Sequence, residues 1–358
     1  MVASAKRINS YEESTSSLTE MTDDLNAELK ASSPTNSDFL PSNDVWYYDG
    51  GILLVAENTA FRVHGAVIAE QCEVFRDMFS VPQSPTADAA QAETRDGCRV
   101  LRLQDSAADL KHFLKSIYDI SYFLPGVTTK FPIVASVLRL STKYNAPVLR
   151  QRAINLIATA YPSSCAAWDA RSTKRLVPPF EDEHFAYIEL AIKTDVRVIL
   201  PSVYYALTRL PLAKALGGLR SLAVSPADQW DVCTNFLVGR ELTTQAELMH
   251  VVKFLKTDFS RPGCKDSRHC GNMLHVAAFH TLNHVADTVP YHHQWCGGKL
   301  EEGVTTIGLC ASCNLTVKDT INSGREKVWE VLPASFGLGD WETLKAVDGV
   351  DVQEIGPQ

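Results

Sequence analysis

The sequence predicts an α+β protein: a small sheet flanked by helical hairpins, followed by a mainly α-helical C-terminal part. Three observations predict it. Strand-like apolar runs, "ILLVA" at 52–56, "FRVH" at 61–64 and "CRVLRL" at 98–103, all lie before residue 104. After that point the apolar residues recur at helical spacing. A chain of 358 residues is also longer than one ordinary core serves, which predicts two domains.

In chain order, residues 1–40 are rich in Ser, Thr, Asp, Glu and Asn. They cannot bury enough surface to offset their ordering entropy, which predicts a disordered tail. "WYYDGGILLVA" places an Asp49-Gly50 turn between two strand-like runs and reads as a hairpin. A strand over 61–64 then gives way to one helix reaching Phe79, on the stripe Ile68, Cys72, Phe75 and Phe79. Residues 81–98 are a Pro/Ala/Asp-rich loop without periodicity. Ser106 and Asp109 open the next helix as a capping-box-like pair, with Leu110, Phe113, Leu114, Ile117 and Tyr118 as its apolar stripe. Ile133, Val137, Leu140 and Tyr144 mark another helix, ended by "NAP" at 145–147, and Leu149, Ala153, Leu156 and Ile157 one more.

The boundaries that follow are a tail at 1–40, an α+β domain at 41–160, a helical domain at 161–345 and a short tail at 346–358. Within the helical domain, Pro201 breaks two apolar stripes. Thr244 and Glu247 read as a capping box opening a helix that buries Leu248, Val251, Val252 and Leu255. Trp329, Leu332, Phe336, Leu338 and Trp341 predict a C-terminal clamp folded back onto this domain, since so many large apolar side chains rarely stay exposed.

The net charge of −8 argues against direct nucleic-acid binding, which needs a basic face. Most of it is local, because residues 1–44 hold eight acids against three bases. There is no basic-then-apolar leader, and no apolar run long enough to span a bilayer, so no membrane is expected. Nine scattered cysteines, an odd number, read as reduced thiols in the cytoplasm or nucleus. No G-x-S-x-G elbow, Walker loop or dinucleotide fingerprint is present, and no enzyme activity is expected.

Several stretches, in order, resemble the BTB/POZ family. "FRVHGAVIAEQCEVFRDMF" at 61–79, preceded by Asp44-Val45, is similar to the family's opening Asp, its strand ending in His and its first helices. "VLRLQDSAADLKHFLKSIYD" at 100–119 and "VLRLSTKYNAPVLRQRAINLI" at 137–157 resemble the strand and helices that follow. "DVWYYDGG" and "FRDMFSVPQ" are like a large fungal group of these proteins. "ILPSVYYAL" at 199–207, "LCASC" at 309–313 and "REKVWEVLPASFGLGDWETL" at 325–344 resemble the helical tail that this group carries.

The resemblance implies the BTB/POZ fold and a non-enzymatic protein–protein interaction module that self-associates or acts as a scaffold. It leaves two alternatives: a substrate adaptor for a cullin-type ubiquitin ligase, or a transcriptional regulator that recruits corepressors. The expected partners are other proteins, among them a second copy of the chain or a cullin scaffold. Asp44, Val45, Trp46 and Tyr48 are the expected interaction surface.

Two departures stand out. Gly65 occupies the position where relatives with a charged pocket carry a base to answer the early Asp, so Asp44 is expected to face water or cap a backbone group. The loop at 81–98 offers only Ala92-Glu93 and Val81-Pro82 where cullin-binding relatives show an apolar-x-Glu signal.

Among chemistry-bearing residues, His64 has no Cys or acid at ligand spacing. It reads as a structural junction between strand and helix. Cys72 falls on an inward stripe and reads as inert. The one metal hypothesis is structural zinc. Cys310-x-x-Cys313 has the bite for one tetrahedral ion, and Cys264 or Cys270 together with Cys296 completes it; Cys264, Cys296, Cys310 and Cys313 are the set carried forward. His280 and His284 share a helix face at i, i+4 but lack the glutamate base of a metalloprotease, and "YHHQWC" at 291–296 reads as packed rings.

Overall fold

The computed structural model describes residues 39–80, 93–257, 259–283 and 307–350. Its strands are β1 (Leu40–Trp46), β2 (Ile52–Ala56), β3 (Thr59–Val63), β4 (Thr94–Arg95) and β5 (Cys98–Leu103). They form one mixed sheet in the order β1-β3-β2-β5-β4. The β2–β3 and β4–β5 pairs are antiparallel; β1–β3 and β2–β5 are parallel. An α+β architecture with the strands gathered early is therefore observed.

The hairpin lies elsewhere than the Asp-Gly turn suggested. β2 pairs with β3 across Glu57-Asn58, and β3 separates β1 from β2. The Asp49-Gly50 turn instead folds onto the end of β3. Tyr47 N–H donates to Arg62 O at 3.0 Å, and Arg62 Nε donates to Gly50 O at 2.8 Å. A Cβ on Gly50 would come within 2.8 Å of Val63 O, so only glycine permits this backbone approach.

β2 is apolar on both faces, as a central strand should be. Leu54 and Ala56 enter the main core, whereas Leu53 and Val55 join Phe39, Ala60, Cys98 and Val100 in a second cluster. The Arg95 guanidinium covers that cluster, 4.8 Å from the centre of the Phe39 ring.

The stretch predicted as one helix is two, α1 (Gly65–Gln71) and α2 (Glu73–Ser80). Cys72 between them is extended, at φ −130° and ψ 113°, and its thiol is fully buried. Glu73 and Val74 then donate their N–H groups to the Asn145 and Tyr144 carbonyls, which ties the break to the later helical hairpin. Burial pushes the Cys72 thiol up to about 12, as an inert core residue requires.

α3 (Ala107–Tyr118) begins as expected, with Ser106 Oγ accepting the Asp109 N–H at 3.1 Å. Asp109 does more than cap. Its carboxylate accepts from Arg139 (2.7 and 3.0 Å) and Ser136 (2.6 Å), which fixes α3 against α4 (Phe131–Lys143). α5 (Pro147–Ala160) completes the hairpin.

The helices after residue 160 are α6 (Cys165–Lys174), α7 (Glu183–Thr194), α8 (Leu200–Leu207), α9 (Leu212–Arg220) and α10 (Pro226–Ala246). The break expected at Pro201 falls earlier, at Asp195 in the left-handed region; Pro201 sits in the first turn of α8, where its missing N–H costs nothing. The capping box at Thr244 and Glu247 is not one. α10 runs through Thr244 and continues as a π turn (Glu247–Val251) and a 3-10 turn (Val252–Leu255). Glu247 is buried and accepts from Tyr205 Oη (2.9 Å) and Arg209 (2.8 Å), a tertiary demand that local sequence cannot display.

Among the described residues the last helices are α11 (Ser267–Asn283), α12 (Ala311–Glu330), α13 (Leu332–Ser335) and α14 (Trp341–Asp348). Gly324 brings α12 onto the π turn with no room for a side chain, since a Cβ would lie 2.4 Å from His250 O. The expected clamp is present. Leu332 and Phe336 are fully buried, Trp329 and Trp341 stack with centroids 6.0 Å apart, and Leu338 packs against the core. Trp329 Nε1 donates to Ser163 O at 2.8 Å and Trp341 Nε1 to Trp329 O at 2.7 Å, so both buried indoles keep a partner.

Asp348 anchors the last helix by accepting the Arg197 and Val198 N–H groups at 2.8 and 2.7 Å, while Gln151 on α5 donates to the Asp348 and Gly349 carbonyls. One apolar core extends from Val45 to Leu344. Among the described residues no helix is long and apolar enough to cross a membrane.

Candidate functional site

Cys264, Cys270, Cys310 and Cys313 converge, with all four sulfurs within 4.8 Å of one another. Two short backbone devices bring them together. Cys264 follows a Pro262-Gly263 turn in which its N–H bonds the Arg261 carbonyl and Gly263 has φ +72°, a conformation that glycine takes without strain. Asp266 caps α11, accepting the His269 N–H at 2.9 Å, and so fixes Cys270 in the first turn. Cys310 is the N-cap of α12, and Cys313 lies one turn in.

The surrounding bonds bind the two segments to each other. Cys310 N–H donates to Cys270 Sγ at 3.4 Å, Ser312 Oγ to Pro262 O at 2.9 Å, and His269 Nε2 to Gly308 O at 3.1 Å. His269 is thus a support and not a ligand.

The thiols are electrostatically unlike. N–H donors from Cys313 and Lys265 hold the Cys310 thiol down to about 6. Burial, with the neighbouring sulfurs, drives Cys313 far up. Cys270 receives the Cys310 N–H, which lowers it, but burial and the adjacent thiols outweigh that and leave it raised. Four sulfurs crowded around one point, with N–H groups directed at them, form a tetrathiolate donor set that can hold a metal ion. Cys296, the expected fourth ligand, lies outside the described residues, as do His284 and the stretch 291–296; Cys270 occupies the fourth corner. Two signals in the sequence point to this set, the glycine just before Cys264 and Asp266 as a helix cap that sets Cys270.

The expected interaction surface is divided. Val45 is 1% exposed and belongs to the core, which corrects its place on a surface; Trp46 is half-buried against the second cluster, and Tyr48 is 84% exposed. Asp44 does face water, its side chain 43% exposed, and its carboxylate also lies 3.5 Å from both Lys111 and Lys115 on α3. His64 is a junction. Its N–H donates to Tyr118 Oη at 2.8 Å, and its Nε2 lies 3.1 Å from Asp49, a pairing that holds the Asp49 carboxyl below its ordinary range. Glu93 grips Arg102 at 2.9 and 3.0 Å; the rest of the loop at 81–92 lies outside the described residues.

Compared with known proteins, the chain matches no family model, no curated protein and no solved structure.

Proposed function

We propose that the chain is a non-enzymatic protein–protein interaction module of BTB/POZ type, extended by a helical region whose four clustered thiols hold one structural zinc ion. The observation that carries the interaction reading is the coincidence of motif and element. The stretches that resemble the family fall on β3, α1, α2, β5 and the α4–α5 hairpin in that order, with His64 at the strand-to-helix join and Asp44 in an ionic contact. Such a platform binds partners through an apolar face whose charges set register. The test is a calorimetric titration of the full chain against the N-terminal domain of a BTB-binding cullin, run beside sedimentation of the chain alone. Micromolar binding makes it an adaptor. No binding with self-association makes it a scaffold. A monomer that binds no cullin contradicts the reading.

The zinc assignment rests on the donor set. Four sulfurs, with no carboxylate in the set, suit a soft, tetrahedral, structural site. The ion would clip segments 40 residues apart in sequence, a constraint of the kind that stabilises most when the loop it closes is long.

A further inference from the structure

α10 is apolar on two sides. Val232, Phe236, Gly239 and Thr243 turn inward and are buried, Gly239 so closely that a Cβ would strike the Phe336 ring. On the opposite side Trp230, Leu237, Val238 and Leu242 are exposed, Trp230 at 73%. Their spacing follows the helical period, so the four share one outer face. The π turn prolongs it, because Glu247 and Val251 face the core while Leu248 and Met249 stay exposed. Thr234, Glu241 and Gln245 alternate with these apolar residues, and Gln245 Nε2 donates to Glu241 at 3.2 Å. A surface helix ordinarily carries one apolar side, and that side is buried; a second one spread along its whole length marks a contact. Its mixture of large apolar and polar side chains is that of a protein interface.

Charge is divided along the same run. Asp228 and Asp231 are exposed in its first turns, and Lys253 and Lys256 are exposed just past the π turn. Among the described residues none of these four forms an ion pair. α10 alone has 21 residues, a length of about 30 Å, so the two ends cannot neutralise each other within one chain.

We propose that this face pairs with the same face of a second copy of the chain, the two α10 helices running antiparallel about a two-fold axis. The antiparallel arrangement sets the acidic end of each helix against the basic end of the other, whereas a parallel one sets like charge against like. Trp230 then meets the Leu248–Met249 end, and Leu237 meets Leu242. The six apolar side chains expose roughly 600 Å² per copy, and with the polar residues between them the face approaches the ~800 Å² that each side of a standard interface buries. The pairing goes beyond the module reading above, which rests on the sheet with its helices and expects contact at β1.

The test uses the full chain, purified and reduced. Sedimentation velocity gives the self-association constants of the native protein, Trp230→Ser, Leu242→Ser and Tyr48→Ala. All three side chains are at least 42% exposed, so the variants should keep the native melting temperature. Expected is a dimer weakened about tenfold or more by Trp230→Ser, less by Leu242→Ser, and untouched by Tyr48→Ala. Carbodiimide coupling of an equal mixture of light and heavy isotope-labelled chains then reads the orientation. Expected is a link from Asp228 or Asp231 to Lys253 or Lys256 that joins one light to one heavy peptide. A monomer at tens of micromolar, or a dimer indifferent to Trp230 and Leu242, overturns the pairing. Weakening by Tyr48→Ala alone also overturns it, moves self-association to β1 and leaves the module reading standing. A dimer weakened by Trp230→Ser but lacking the mixed acid–lysine link overturns the antiparallel arrangement.

Discussion

Around the sheet, Leu54, Phe61, Val63, Ile68, Phe75 and Phe113 are at most 1% exposed and belong to one buried cluster. Around the thiols Leu274, Ile307 and Leu309 also reach the core, and directed contacts are added between the two segments: the Cys310 N–H on the Cys270 sulfur, Ser312 with Pro262, and His269 with Gly308. One region is held by burial spread over many side chains; in the other a few directed bonds converge on a point. The first should lose stability in graded steps when a residue is trimmed, while the second should fail as a unit when its ion leaves.

The largest effect should come from breaking that unit. Cys313→Ser, or a strong chelator on the native chain, should abolish metal binding and expose the start of α11 and of α12 to proteolysis, with the sheet region still protected. Hydrogen exchange resolved by segment reads the contrast, and uniform loss of protection would show that the two regions are not separable in this way.

Next in size is the clamp, where burial again dominates. Trp329→Ala removes a 5%-exposed indole and its bond to Ser163, and should cost about 3–5 kcal/mol. An unchanged melting temperature would show that the clamp is ornamental.

Smaller again is the polar tie between α3 and α4. Asp109→Asn should cost about 1–3 kcal/mol, because a charge-assisted pair with Arg139 becomes a neutral one. The sign with pH is fixed. Burial would raise the Asp109 carboxyl, but Arg139 and Ser136 outweigh it and hold it below the ordinary carboxylate range. Its contribution is complete above that range and lost as pH falls through the lowered value, so the gap between native and variant should close in acid.

Asp348 runs the other way and gives the smallest effect. Burial raises its carboxyl against the opposing N–H bonds of Val198 and Arg197. The native chain is therefore favoured as pH falls through the raised value, and Asp348→Asn should gain on it as pH rises toward neutrality. Melting curves of both variants from about pH 7 down to about pH 2 read the two opposite slopes, that of Asp348 at the upper end and that of Asp109 at the acid end.

How far the sequence disclosed this molecule follows the same division. The stripes of α3, α4 and α5, the Ser106 cap and the C-terminal tryptophans were legible because each is a local period or a run of large apolar residues. The pairing of β2 with β3 was not, since Asp49-Gly50 is the stronger turn signal and only the approach of Gly50 to Val63 reveals why it does not close a hairpin. Glu247 misled for a related reason. Its spacing from Thr244 mimics a cap, but its partners, Tyr205 and Arg209, are about 40 positions away. Cys310 and Cys313 could be named from their C-x-x-C bite, and Cys264 and Cys270 from nearness in sequence, but only as alternatives to each other. That both converge depends on how Asp266 starts α11 relative to the Pro262-Gly263 turn, a matter of geometry and not of spacing. Asp44 shows the same limit, as its lysines come from a helix more than sixty residues on.

Elemental analysis of the full chain, purified without chelator or metal-affinity tag, tests the tetrathiolate centre most directly. About one zinc per chain is predicted, lost in Cys270→Ser and retained in Cys296→Ser. Fewer than about half an equivalent in the native protein, or loss in Cys296→Ser with retention in Cys270→Ser, would contradict it.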